Sequence, residues 1–355
     1  MKKKMVIMLG GFAVGGAEHM VYELVKCMNN QAFDVQVVCL NPPKGTTLES
    51  AVEKICPVRY LHETGRVSVK TVRNVVKALD EINPDVIHAH LSGAALAPFW
   101  TILRRKKLVI TAHTKPEKAF PGLTEKLVRC AICFGKTKLV AVSEENTTMS
   151  RAYFGLDKEK CVCVNNGIDL DRFSRKPHDG FTLIHVGRQD ENKNQAALIR
   201  CFARLHEKHP NTKLLLLGDG PLHEKLVAQV TELGLTDTVI LTGNIPNTED
   251  YYAVSDLYVQ CSHREAMPLS VLEAMAAGMP IVSTDVGGLS DVVQDNGILV
   301  PDNNEDALYD AIEKIYEQSE EETAKMCAAS GRIVENYSSK AMARAYENIY
   351  SEMCK

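Results

Sequence analysis

Short apolar runs rich in β-branched residues alternate along almost the whole chain with segments whose apolar positions recur every three or four residues. The short runs predict strands over 5–9, 34–40, 85–89, 108–112 and 138–142, then over 182–186, 213–217, 239–242, 257–260 and 280–284. Ala17–Met28 and Gln195–His209 carry the three-and-four spacing of helices. Strands this uniformly apolar, separated by helical segments, belong to parallel sheets covered on both faces. The rhythm pauses at Asn165-Asn-Gly-Ile-Asp169 and through the polar stretch 171–180, where Asn-Gly, Pro177 and Asp179-Gly180 are turn signals. A domain boundary is expected there, giving a first domain over 1–175, a second over 176–337 and a terminal helix over 338–355 that packs back on the first. The expected fold class is α/β, with two doubly wound Rossmann-like domains whose strand ends face an interdomain cleft.

Length and composition agree with that division. A chain of 355 residues exceeds one ordinary core, and 45% hydrophobic with 24% charged residues is the balance of a globular protein. No apolar run approaches the roughly 18–20 residues of a membrane span. Met5–Leu9 follows three lysines but is broken at once by Gly10-Gly11, with no cleavage site after it, so it reads as a first strand rather than a signal peptide. Eleven cysteines, scattered and mostly within apolar segments (Cys39, Cys201, Cys261), suit a reducing cytoplasm. Cys130-Ala-Ile-Cys133 reads as part of a buried helix face rather than a metal or redox site. The net charge of −4 hides an asymmetry: residues 1–178 carry 27 Lys and Arg against 17 acids, and residues 179–355 carry 14 against 28. The basic half is expected to meet an anionic surface or substrate. Leu123–Phe134, with apolar Leu123, Leu127, Ala131 and Phe134 and with Lys126 and Arg129 between them, could lie on a membrane surface or be a plain surface helix.

Several loops at strand ends could carry chemistry. Gly10-Gly-Phe-Ala-Val-Gly15-Gly16-Ala-Glu18 follows the first strand and opens a helix, where glycines permit close approach to a phosphate or sugar. The glycine spacing is not that of a dinucleotide fingerprint, and the second strand ends without the acid that would hold a ribose, which disfavours a nicotinamide enzyme. Gly187-Arg188-Gln-Asp-Glu-Asn-Lys193 places two cations where they could clamp a diphosphate. Gly218-Asp-Gly-Pro221 closes another strand, and His113, with His88 and His90, stands near strand ends as a candidate polar cleft wall. Asp169-Leu-Asp171 reads as turn and cap chemistry rather than a metal site. Glu265 and Glu273 flank a helix start at which Pro268 is a first-turn residue, and Gly278-Met-Pro280 ends that helix.

In this order, Gly-Gly-Ala-Glu18, His113, Asn166-Gly-Ile-Asp169, Gly187-Arg188 with Lys193, Gly218-Asp-Gly-Pro221 and Glu265-x7-Glu273 resemble the retaining glycosyltransferases of family 4, which have the GT-B architecture. The resemblance implies transfer of a sugar from a nucleotide diphosphate sugar, UDP-sugar being favoured, to a glycan or polyprenyl-linked acceptor, without a metal or other cofactor. It implies that Arg188 and Lys193 neutralise the donor pyrophosphate, Glu265 holds sugar hydroxyls and Glu273 the ribose. It further implies that backbone N–H groups around Met267, Leu269 and Ser270 meet the distal phosphate. Gly16 and His113 would contact phosphate and sugar from the first domain, and Ile245 and Asn247 would touch the base. Ala266-Met267 departs from the Gly-Phe pair of many relatives. A sugar-nucleotide epimerase of the same fold and a non-catalytic binding subunit are the alternatives. Nucleic acid is not an expected partner, and a peripheral membrane contact through the basic domain is.

Overall fold

The computed structural model describes residues 2–13, 15–63 and 68–355; Val14, in the glycine-rich loop, and Met1 lie outside them. Contacts divide the chain into two compact units, Met1–Gly167 with Ser339–Lys355, and Ile168–Ser338.

The first unit is built on a parallel sheet of β1 (Lys3–Leu9), β2 (Phe33–Cys39), β3 (Val58–Tyr60), β4 (Val86–His90), β5 (Lys107–Ala112), β6 (Lys136–Ala141) and β7 (Cys161–Cys163), in the order β3-β2-β1-β4-β5-β6-β7. Because side chains alternate along a strand, Met5, Ile7 and Leu9 enter one core layer while Val6 and Met8 enter another. Helices Val69–Ile82, Gly93–Arg104 and Leu123–Phe134 supply the Val6 side, and Gly16–Cys27 with Ser339–Met353 supplies the Met5 side. Covering on both faces explains why β1 reads as an unbroken apolar run. The helix Ser339–Met353 contributes Met342, Ala343, Tyr346, Ile349 and Tyr350 to that core. Ser339 Oγ donates to buried Glu23 at 2.8 Å, and Tyr350 Oη lies 2.6 Å from His88 Nδ1.

The second unit repeats the plan with β8 (Phe181–Val186), β9 (Thr212–Leu217), β10 (Val239–Gly243), β11 (Leu257–Gln260), β12 (Ile281–Thr284) and β13 (Gly297–Val300), in the order β10-β9-β8-β11-β12-β13. Leu183, Leu214, Leu216 and Val259 pack to one side, and Ile184, Leu215, Leu217 and Tyr258 to the other. All ten strands expected from the apolar runs are present. The three additional strands, β3, β7 and β13, are three or four residues long and lie at sheet edges, where half-buried side chains leave little periodic trace.

One local expectation needs correction. Cys130 and Cys133 are exposed free thiols, not a buried face. In the same helix Val128, Ala131 and Ile132 form the buried stripe, while Leu123 and Phe134 are 60% and 79% exposed. Among the described residues no helix is long and apolar enough to cross a membrane.

Candidate functional site

In the second sheet β8 has β9 on one side and β11 on the other, so the strand order reverses between β8 and β11. Connections leaving the carboxyl ends of two such strands diverge and open a crevice. Residues 187–194 leave β8 there and residues 261–268 leave β11, which brings Arg188, Lys193, Glu265 and Met267 to one edge. The two loops are stitched together. The His263 N–H donates to the Asn192 carbonyl at 2.8 Å, and Asn192 Nδ2 donates to the Arg264 carbonyl at 3.0 Å.

Within that frame Lys193 Nζ lies 2.6 Å from Glu265 Oε1, with the two side chains only 18% and 11% exposed. Gln260 Nε2 donates to the same oxygen at 2.7 Å. Among the described residues no hydrogen bond reaches Glu265 Oε2, and that atom is not sealed from solvent. Arg188 is different: its side chain is 70% exposed, and its nearest carboxylate, Asp190, is 3.7 Å away. Lys193 is therefore a fixed charge and Arg188 a mobile one. Beneath them His185 is pushed down to about 4, by burial first and then by the Lys193 charge. Its neutral ring lies with Nδ1 2.8 Å from the Val259 carbonyl and Nε2 3.3 Å from Gln195 Nε2.

The helix after Glu265 spans Leu269–Ala276, with Pro268 in extended conformation at its N-cap rather than within its first turn. Leu269 and Ser270 thus open the helix, and Met267 is buried in the core beneath it. Glu273 lies more than one turn inside, where the Tyr252 hydroxyl donates to its Oε2 at 3.0 Å. Burial, then the Glu273 charge, holds Tyr252 well above the ordinary phenol range, so it remains a donor. Ile245, partly buried, and exposed Asn247, which donates to Asp250 at 2.6 Å, occupy the segment after β10. The Gly218-Asp-Gly-Pro221 turn has a packing role: a Cβ on Gly218 (φ +117) would stand 2.2 Å from the Gly187 carbonyl oxygen. Gln189, fully buried, donates to the Gly218 carbonyl at 2.8 Å, so this turn braces the Arg188 loop from below.

In the first unit Gly16 opens the helix Gly16–Cys27 and is exposed. His113 follows β5 and is only partly exposed; its Nε2 lies 3.0 Å from His90 Nδ1. Burial pushes His113 down to about 4 and holds His90 and His88 well below the ordinary imidazole range. His88 and His90 are not a polar wall, because both are fully buried. His88 sits between Thr111 Oγ1, at 2.7 Å, and the Tyr350 hydroxyl. Asp169 caps the short turn Leu170–Arg172.

Sequence comparison matches residues 14–172 to the family described as Glycosyltransferase Family 4 and residues 168–334 to Glycosyl transferases group 1. The chain belongs to glycosyltransferase family 4. An uncharacterized glycosyltransferase of Methanocaldococcus jannaschii is 31% identical over 61% of this chain and 59% of its own length. A second relative, from Campylobacter jejuni, is described as N-acetylgalactosamine-N,N'-diacetylbacillosaminyl-diphospho-undecaprenol 4-alpha-N-acetylgalactosaminyltransferase. It is 28% identical over 60% of this chain and 61% of its own length. The chain thus spans about three-fifths of these two relatives. Anabaena HepE, solved with UDP-glucose, shares 20% identity and superposes with a TM-score of 0.84 over 99% of this chain and 100% of its own. That similarity gives this family 4 chain the GT-B fold. Three residues that hold the two glutamates carried no assigned role in the sequence: Gln260 and Tyr258 on the Glu265 side, and Tyr252 against Glu273. The one available signal was a glutamine ending an otherwise apolar strand, Leu-Tyr-Val-Gln260.

Proposed function

We propose that the protein is a retaining glycosyltransferase that moves a sugar from a UDP-sugar to a glycan or polyprenyl-linked acceptor in surface polysaccharide assembly. The observation that carries this reading is the convergence of Lys193 and Glu265 at the β8/β11 strand ends, with Arg188 beside them and no buried partner claiming its charge. One fixed and one mobile cation at that edge suit a pyrophosphate, and a carboxylate with an open oxygen suits sugar hydroxyls. The helix start at Leu269 and Ser270 offers N–H groups to the distal phosphate, and Glu273 serves the ribose, with Ile245 and Asn247 near the base. The HepE structures solved with UDP and with UDP-glucose support the donor class. The undecaprenol acceptor in the name of the Campylobacter relative supports the acceptor class.

In the reaction the C1–O bond to the leaving phosphate breaks as a bond from C1 to the acceptor oxygen forms on the same face. The acceptor proton passes to the departing phosphate oxygen. Lys193 and Arg188 stabilise the charge that grows there, and neither glutamate acts as nucleophile. No metal is assigned a part. Gly16 and His113 carry the phosphate and sugar roles that the family resemblance gives them. Exposed Leu123 and Phe134, with Lys126 and Lys136 nearby, support contact between the first unit and an anionic membrane surface.

A thermal-shift series with nucleotide sugars tests the donor class, because a true donor raises the melting temperature by an amount that grows with the logarithm of its concentration over Kd. Glu265→Ala and Lys193→Ala should each lower acceptor-dependent nucleotide release by about 100-fold or more. Wild-type rates in both folded variants would overturn the site.

A further inference from the structure

We infer that Gln260 is a positioning residue that fixes which oxygen of Glu265 meets the transferred sugar and separates sugar recognition from phosphate recognition. The inference rests on the donor-site reading above. Gln260 ends β11 and is fully buried. Its amide orientation is set from both sides: the Tyr258 hydroxyl donates to Oε1 at 2.7 Å, and Nε2 donates to Ser262 Oγ at 2.7 Å. A carboxamide nitrogen carries two N–H groups, so the second is committed to Glu265 Oε1. Tyr258 is itself held, since Ser270 Oγ lies 2.7 Å from its hydroxyl. The result is a buried relay from the helix start through Tyr258 and Gln260 to one carboxylate oxygen.

Lys193 binds that same oxygen. An ammonium has three N–H groups, so after one is spent on Glu265 two remain for phosphate oxygens. If Lys193 alone held Glu265, any movement of the lysine toward a pyrophosphate would drag or release the carboxylate. With Gln260 in place, Oε1 keeps a donor and Oε2 stays presented, whatever the lysine does. An acid at position 260 could not do this, because a second carboxylate 2.7 Å from Glu265 would repel it.

The test uses the full chain carrying Gln260→Leu, which keeps the volume and removes the amide, and the milder Tyr258→Phe, which removes one hydroxyl. UDP affinity is measured by calorimetry. Donor hydrolysis is measured with whichever of UDP-glucose, UDP-galactose and UDP-N-acetylglucosamine the wild type cleaves. Gln260→Leu is expected to bind UDP within about twofold of wild type while kcat/KM for the donor falls about tenfold. Tyr258→Phe should show the same split at about threefold, and adding Gln260→Leu to Glu265→Gln should cost little more. Wild-type kcat/KM in Gln260→Leu, a parallel loss of UDP affinity, or additive losses in the double variant would each overturn the inference. Failure of the site reading looks different: wild type cleaves none of the three donors, or Glu265→Ala retains full turnover.

Discussion

Glu265 and Glu273 lie on successive parts of one segment, yet their neighbours prepare them for different work. Glu265 is held through a single oxygen by an ammonium and an amide, whereas Glu273 receives a phenol that burial keeps protonated. Tyr252→Phe should therefore weaken the nucleotide side of the site. We expect donor KM to rise several-fold with kcat within about twofold, and stability to fall by about 1 kcal/mol for the lost hydrogen bonds. A kcat collapse at unchanged KM would instead place Glu273 with the reacting atoms. At this scale the sequence is legible where charged residues stand in loops after strands, as Arg188, Lys193 and Glu265 do. Gln260 and Tyr258 were hidden, because a polar group closing an apolar strand looks the same whether it is solvated or committed to a residue from another loop. That Lys193 and Glu265 share a contact across the sequence follows only from strands β8 and β11 being neighbours.

Among the elements, central strands announce themselves, and of the edge strands only β10 does. β1 and β8 are covered on both faces and read as apolar runs, while β3, β7 and β13 are short and half exposed. In helix Leu123–Phe134 the core contacts come from Val128, Ala131 and Ile132, which leaves Leu123 and Phe134 facing outward. Strands β5 and β6 are parallel, so the helices that precede each of them end at the amino-terminal edge of the sheet. Leu103, Arg104 and Arg105 thus collect at the same edge as Phe134 and Lys136. Apolar side chains among cations are suited to an anionic bilayer surface. The wild type should sediment with vesicles containing phosphatidylglycerol more than with neutral ones, and the doubly substituted Leu123→Ser, Phe134→Ser protein should bind several-fold less. Equal sedimentation of the two proteins would remove this helix from any membrane role. The substitution sites are exposed, so folding should be unaffected.

For the whole molecule, the fold class was readable from alternation alone, whereas the fate of the histidines was not. His88, His90 and His113 in the first unit and His185 in the second are all held neutral by burial, the latter pair at about 4. In the unfolded chain each would titrate near 6.5. Below that value the unfolded state binds more protons, so stability is fully present above about pH 6.5 and declines as the pH falls toward the folded-state values. Each unmatched proton is worth about 1.4 kcal/mol per pH unit. The urea midpoint should therefore be clearly lower at pH 5 than at pH 7.5; an equal or higher midpoint at pH 5 would mean these rings are charged in the native state. The last helix adds a constraint of a different kind. Tyr346 and Tyr350 complete the core around Met5 and Ile7 and supply His88 with its hydroxyl partner, yet they follow the whole second unit in chain order. At roughly 5–20 residues per second the ribosome makes the entire second unit in the interval, while one face of the first unit's sheet is only partly covered, by the helix Gly16–Cys27. The first unit is thus begun before the second and completed only after it.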